Sequence, residues 1–271
     1  MSGRLNLKSR FGIVLLSGII LSTGLYLLPK TVVTDDASSS QSAGQQQTSK
    51  ESEHPQLKLT KEQQSALAEI KNASLGEVDK FREISQFFQS VHMYDSSAVY
   101  AVKYAESTND INSWLDAGDK YYQAFSLSLS PVEKDRLAEK TREIYNKALA
   151  VNPSDLHAKT NIAMTYVSSS SPMQGITQLR QVLEENPRYV PAIMSMGALS
   201  IQSNQYDKAA DRFEEVLRID SENINAKLGL AYSLIELNKK ERAKALLGEV
   251  LKSDLDEVLK TEVVKTLESL N

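Results

Sequence analysis

Small and bulky apolar positions between residues 141 and 255 return with a period of 34. Displaced by that period, the sequence superposes the small or near-small Thr141, Gly175, Ala209 and Ala243, and with them the bulky Tyr145, Leu179, Phe213 and Leu247. Ala148, Val182, Val216 and Val250 align next, then Leu149, Leu183, Leu217 and Leu251. The pairs Asn152-Pro153, Asn186-Pro187 and Asp220-Ser221 punctuate the unit ends. Spacings of three and four put the apolar residues on one helix face, and a repeat of this length is a helix pair whose apolar face is covered only by its neighbours. The predicted fold class is all-α, with antiparallel helix-pair repeats stacked as a solenoid.

Ahead of the repeats, residues 59–110 predict three helices. Thr60 with Gln63 and Ser74 with Glu77 have capping-box spacing, and Asp95 suits an N-cap. Val78, Phe81, Ile84, Phe88 and Val91 form the apolar stripe of the second helix, while Ala98, Val102 and Ala105 give the third the character of a repeat's second helix. A degenerate repeat and an N-terminal cap both fit. Beyond the repeats, Leu255, Val258, Leu259, Val263, Leu267 and Leu270 recur at helical spacing, so residues 255–271 read as a C-terminal capping helix.

Residues 1–58 follow a different pattern. Phe11–Leu28 are 18 uncharged, mostly apolar positions, about 27 Å as a helix, which matches the hydrocarbon thickness of a bilayer. A transmembrane helix at 11–28 is therefore expected. Arg4, Lys8 and Arg10 precede it, and Asp35 and Asp36 follow Lys30, which places residues 1–10 in the cytoplasm and the rest of the chain outside it. A cleaved signal peptide is the rival, but Leu25-Tyr26-Leu27-Leu28 continues the apolar run where a small-x-small cleavage site would stand. Residues 29–58, rich in Ser and Gln, are too polar to fold alone and read as a flexible linker. Gly18 and Ser22 form a small-xxx-small pair that would pack two spans into a homodimer, which nothing else in the sequence requires.

Trp114-Leu115-Asp116-Ala117-Gly118-Asp119-Lys120-Tyr121, Ala209-x3-Phe213 and the closing Pro153 and Pro187 resemble the opening, middle and end of the tetratricopeptide repeat (TPR). The unit of that family is two antiparallel helices. The resemblance covers residues 111–271 and divides them into units 111–153, 154–187, 188–221 and 222–254 before the cap. Gly118 to Ala163 is 45 residues rather than 34, which places an insertion around Ser126–Arg136. Ser130-Pro131-Val132-Glu133 restarts the second helix as a capping box with Pro at its first position, so the extra residues are expected in the connecting loop. Gly175 is expected to weaken its helix. Together with the N-terminal span, the chain resembles the membrane-anchored periplasmic TPR proteins of bacteria, which include accessory factors of translocon-linked chaperoning and of cytochrome c maturation. That resemblance implies a single-pass inner-membrane protein with a periplasmic C-terminal domain, acting as an adaptor or scaffold for other envelope proteins. A chaperone-like binder of unfolded or newly translocated chains is the alternative.

Composition narrows the chemistry. A net charge of −4 and a pI near 5.6 leave no concentrated basic face for nucleic acid. Without cysteine there is no disulfide, thiolate metal site or cysteine nucleophile. His54, His92 and His157 lack the spacing of a helical metal site, and no Gly-rich phosphate loop or nucleophile elbow is present, so no catalysis, cofactor or metal is expected.

In TPR arrays the first helices line a concave groove, and here a stripe distinct from the packing stripe recurs in them. Thr160 and Met164, Met194 and Ile201, and Leu228, Tyr232 and Ile235 recur along successive first helices. Leu115, Asp119 and Tyr122 continue the stripe into the preceding unit, and His157, Asn161, Asn225 and Glu236 edge it. The floor is expected to be apolar and exposed, a contact surface for a protein or peptide partner, with the chain's own N-terminal helices or a second copy as rival occupants. The cationic clamp by which some co-chaperone TPR domains hold a peptide carboxylate is not expected, because Leu115 and Asp119 stand where that family carries Lys and Asn.

Overall fold

The computed structural model describes residues 59–270. The expected span Phe11–Leu28 and the linker 29–58 lie outside the described residues, and among those described no helix is long and apolar enough to cross a membrane. The described residues form twelve helices: α1 (Lys61–Asn72), α2 (Glu77–Ser90), α3 (Tyr94–Thr108), α4 (Ile111–Leu127), α5 (Pro131–Val151), α6 (Leu156–Val167), α7 (Pro172–Glu185), α8 (Val190–Gln202), α9 (Tyr206–Ile219), α10 (Ile224–Glu236), α11 (Lys240–Val250) and α12 (Glu257–Leu270).

Helix starts recur with the repeat. Asp110, Asp155 and Asn223 stand before α4, α6 and α10, and each accepts a hydrogen bond from the backbone amide three residues on, at 3.1, 2.8 and 3.0 Å. Thr60 and Gln63 form the reciprocal box expected of them. Ser74 and Asp95 do not cap: Gly76 and Met93 hold those positions, and Asp95 lies in the first turn of α3, 3.0 Å from Arg136. Between the helices of a pair, His92, Asn204 and Asn238 adopt positive φ, a bend that short polar side chains tolerate better than branched ones.

The helices pair as α2/α3, α4/α5, α6/α7, α8/α9 and α10/α11, and each pair stacks on the next, with α1 against α2 and α12 against α11. Small residues set the approach within a pair. A Cβ added to Gly175 would lie 2.4 Å from the Ala163 carbonyl oxygen and 2.7 Å from the Val167 amide nitrogen, so α6 and α7 close onto each other only because that position is glycine. This corrects the expectation that Gly175 merely weakens its helix. In α2/α3 the same contact is made by Ser85 and Ser97, whose hydroxyls each donate to the other residue's carbonyl at 2.8 Å. Between units, the fully buried Phe213 ring fills the space that Gly197 and Gly229 leave open.

The insertion is not a loop. α4 and α5 have 17 and 21 residues, against 12 and 14 in α6 and α7, and residues 128–130 suffice to connect them. Because α4 begins and α5 ends in register with the later units, the added turns project past the other hairpins by about 6–10 Å at 1.5 Å per residue. They stay helical because they have a core of their own: Phe125 and Leu137 are buried in one cluster, and the Lys134 ammonium lies 5.2 Å above the Phe125 ring. At the C-terminus, Val263 and Leu270 of α12 are buried, whereas Val258 is exposed and Leu255 precedes the helix.

The first helices α4, α6, α8 and α10 touch one another in succession, while the second helices meet chiefly through them. The array therefore curves toward its first helices, and these line the inner face.

Candidate functional site

The stripe expected to floor the groove does lie between successive first helices, but it is not exposed. Thr160, Met164, Met194, Ile201, Leu228 and Ile235 are all buried, with Met164 at 2% and Met194 at 6%. The cause is the direct contact of α6 with α8 and of α8 with α10, which interlocks these side chains between the helices instead of presenting them. The apolar ones join a cluster drawn from α6 to α12, with Tyr122 at its margin and no residue from α1, α2 or α3. What covers the stripe is thus the adjacent units, not the N-terminal helices. Leu115, Tyr122, His157, Asn161 and Tyr232 remain partly accessible, together with Asp119 and Glu236.

Three polar features stand along this inner face. In the first, Tyr145 rises from α5 between α4 and α6, its ring occupying the space that a Cβ on Gly118 would take. Its hydroxyl donates to Asp119 Oδ1 at 2.5 Å and accepts from Asn161 Nδ2 at 2.7 Å. His157 Nε2 meets the same carboxylate oxygen, and its ring packs edge-on to Tyr145. The hydrogen bond to Asp119 raises the pKa of His157 above the usual imidazole value, against the opposing effect of partial burial. Burial pushes the Tyr145 hydroxyl well up, and the Asp119 charge adds to it, so this phenol stays a neutral donor. Asp119 belongs to the stripe read from the sequence, but the Tyr145 hydroxyl that joins it was not among the residues the sequence singled out. The available signal is that Tyr145 alone in its column carries a hydroxyl.

The second feature is a recess of 260 Å³ between α10 and α12. Tyr232, Ile235 and Leu270 supply apolar wall, and Glu236, Lys240, Glu262 and Lys265 ring it with both signs of charge. The Tyr206 ring holds Tyr232 edge-on at 6.1 Å, and burial, then Tyr206 itself, raises the pKa of Tyr232. Periodicity alone marks α12 as a cap, so its lining residues Glu262 and Lys265 go unnoticed in the sequence. At the other end of the same face, a 370 Å³ recess lies between α2 and α4 over α3, with Arg82, Gln86, Tyr104, Asp116 and Lys120 among its lining. Among the described residues no group of three or more His, Asp or Glu side chains is placed to hold a metal ion.

The tetratricopeptide repeat family matches residues 200–261. The Hsp70-Hsp90 organizing protein 3 of Arabidopsis thaliana is 26% identical over 98 residues, 36% of this chain and 18% of that protein. The Hsp70-Hsp90 organizing protein of Triticum aestivum is 25% identical over 113 residues, 42% of this chain and 19% of that protein. The chain therefore spans about a fifth of the length of these relatives. Among solved structures, a TPR protein of Thermus thermophilus superposes with a TM-score of 0.51 at 14% identity, covering 71% of this chain and 98% of the other. A TPR protein of Parabacteroides merdae superposes with a TM-score of 0.51 at 15% identity, covering 77% and 84%. These likenesses establish the fold as a TPR-type solenoid.

Proposed function

We propose that this chain is a membrane-tethered TPR adaptor of the bacterial cell envelope, which holds a segment of a partner protein against its inner face. The observation that carries the reading is the recess between α10 and α12, where the apolar wall of Tyr232, Ile235 and Leu270 is ringed by Glu236, Glu262, Lys240 and Lys265. Such a site takes one large apolar side chain from a partner segment and pairs the charges beside it, which makes for selectivity. The likeness to Hsp70-Hsp90 organizing proteins supports protein binding of some kind, and a carboxylate clamp of the co-chaperone type is not favoured, because Asp119 and Leu115 occupy the inner face where such a clamp needs a donor. A holdase for unfolded chains calls for a broad exposed apolar floor, and here the floor is buried. The selective adaptor is accordingly the reading favoured.

The test is recovery of the full chain with its partner after gentle detergent extraction of membranes. One stoichiometric complex is expected, and Glu236→Lys with Lys265→Glu should abolish it while leaving the melting temperature unchanged, since neither side chain belongs to the core. A folded double variant that still recovers the complex would remove this recess as the binding site, and recovery of many unfolded clients would favour the holdase.

A further inference from the structure

Among the described residues the two most exposed large apolar side chains gather at one hairpin tip. At the tip of the α4–α5 hairpin Leu129 is 85% and Val132 79% exposed, with Leu127 beside them, and in the neighbouring α6–α7 hairpin Met173 is 62% exposed. In a chain that is 24% charged, neither Ser126–Val132 nor Val167–Leu179 contains a charged residue. Both tips lie on one edge of the array, because the first helix of each pair runs toward that edge and the second runs away. α1 lies against α2 after a short turn, and Leu59 shares a cluster with Phe88, Val91 and Met93 at the far end of α2. The described chain therefore enters at the same edge from which the tips project, with 58 residues ahead of it.

We infer that this edge is the face the array turns to a lipid bilayer, with Leu127, Leu129, Val132 and Met173 inserted at headgroup and upper acyl depth. Shape favours lipid over protein: a tip projecting about 6–10 Å needs a matching hollow in a protein partner, whereas lipid closes around any convex form. Leu127–Val132 carry no charge, which lowers the desolvation cost of inserting the very tip, while Glu133, Lys134, Asp135 and Arg136 at the start of α5 would lie in the headgroup layer with the hydroxyls of Ser126, Ser128 and Ser130. The inference rests on the reading of Phe11–Leu28 as a membrane span. On that reading residues 29–58, which precede the described chain, join the span to this edge, which makes insertion intramolecular, so that a few apolar side chains suffice. In that orientation the helices stand along the membrane normal and the inner face opens sideways, toward partners in the same membrane.

The chain has no cysteine, so Leu129→Cys, Met173→Cys and Val258→Cys each create one labelling site in the full-length protein. Val258, 77% exposed at the start of α12 on the opposite edge, is the control. With an environment-sensitive dye and vesicles of phosphatidylcholine and phosphatidylglycerol, labels at 129 and 173 are expected to shift to the blue and to be quenched by shallow brominated lipids. The label at 258 is expected to do neither. Val132→Glu with Met173→Glu should lower the inserted-to-free ratio at residue 129 by about tenfold or more. Alkaline carbonate extraction of the same vesicles reads the span separately. A water-exposed label at 129 overturns the inference whether or not the chain resists extraction, and a quenched label on an extractable chain supports the inference and sinks the span. A blue shift without lipid quenching that grows with protein density also overturns it, transferring the tips to a second copy of the chain.

Discussion

Phe213 shows how much one side chain can hold between units. Its ring is fully buried with Gly197 on one side and Gly229 on the other, so Phe213→Ala is expected to cost about 3–5 kcal/mol in denaturant unfolding, and a variant as stable as the parent would contradict this seating. Gly175→Ala raises helix propensity by about 1 kcal/mol, yet the new methyl meets backbone of α6 that has nowhere to move. A lowered melting temperature is expected. Met194→Glu places a charge in the buried stripe and should unfold the array rather than report on binding. At His157 the sign follows from its raised pKa: the folded state holds the proton more tightly than the unfolded chain. The stabilisation is fully present below the unfolded value of about 6.5 and is lost as the pH rises through the higher folded value. Asp119→Asn should flatten that dependence in thermal melts between about pH 6 and about pH 8.

At the scale of elements, the lengthened α4 and α5 show where extra residues go when they carry an amphipathic pattern. A loop would leave Phe125 and Leu137 in water, whereas two further helical turns bury both. Leu137→Ala is accordingly expected to cost about 2–5 kcal/mol, measured by denaturant unfolding, and a negligible loss would return these residues to the status of a loop. α12 has a double part: Val263 and Leu270 close the end of the core, and Glu262 and Lys265 complete the recess. Periodicity registers only the first of these, because spacing reports which face is apolar and not what the polar face borders.

At the scale of the whole array, the main contacts among the described residues run from each pair to the next, so the array is held by nearest neighbours. The membrane placement proposed for it rests on the reading of residues 1–58. With Arg4, Lys8 and Arg10 inside, a cysteine introduced at Ser40 is expected to react with a membrane-impermeant thiol reagent in intact spheroplasts. Labelling only after lysis would reverse the topology and, with it, the envelope setting proposed for the adaptor.

The repeat period, the phase of Tyr145, Leu179, Phe213 and Leu247, and the solenoid class were legible in the chain because they depend on local helix formation and on columns of small and bulky residues. Exposure was not legible. Whether Met164, Met194 and Ile201 face solvent or lock into a neighbour is decided by how closely successive first helices approach, a distance that a 34-residue period leaves open. The same holds for Asp119, Tyr145 and His157, which come from three different helices and meet only because Gly118 lets a ring rise between two of them. Period and face are properties of one helix, whereas burial and site geometry are properties of the gap between helices, and that gap is set only when the units stack.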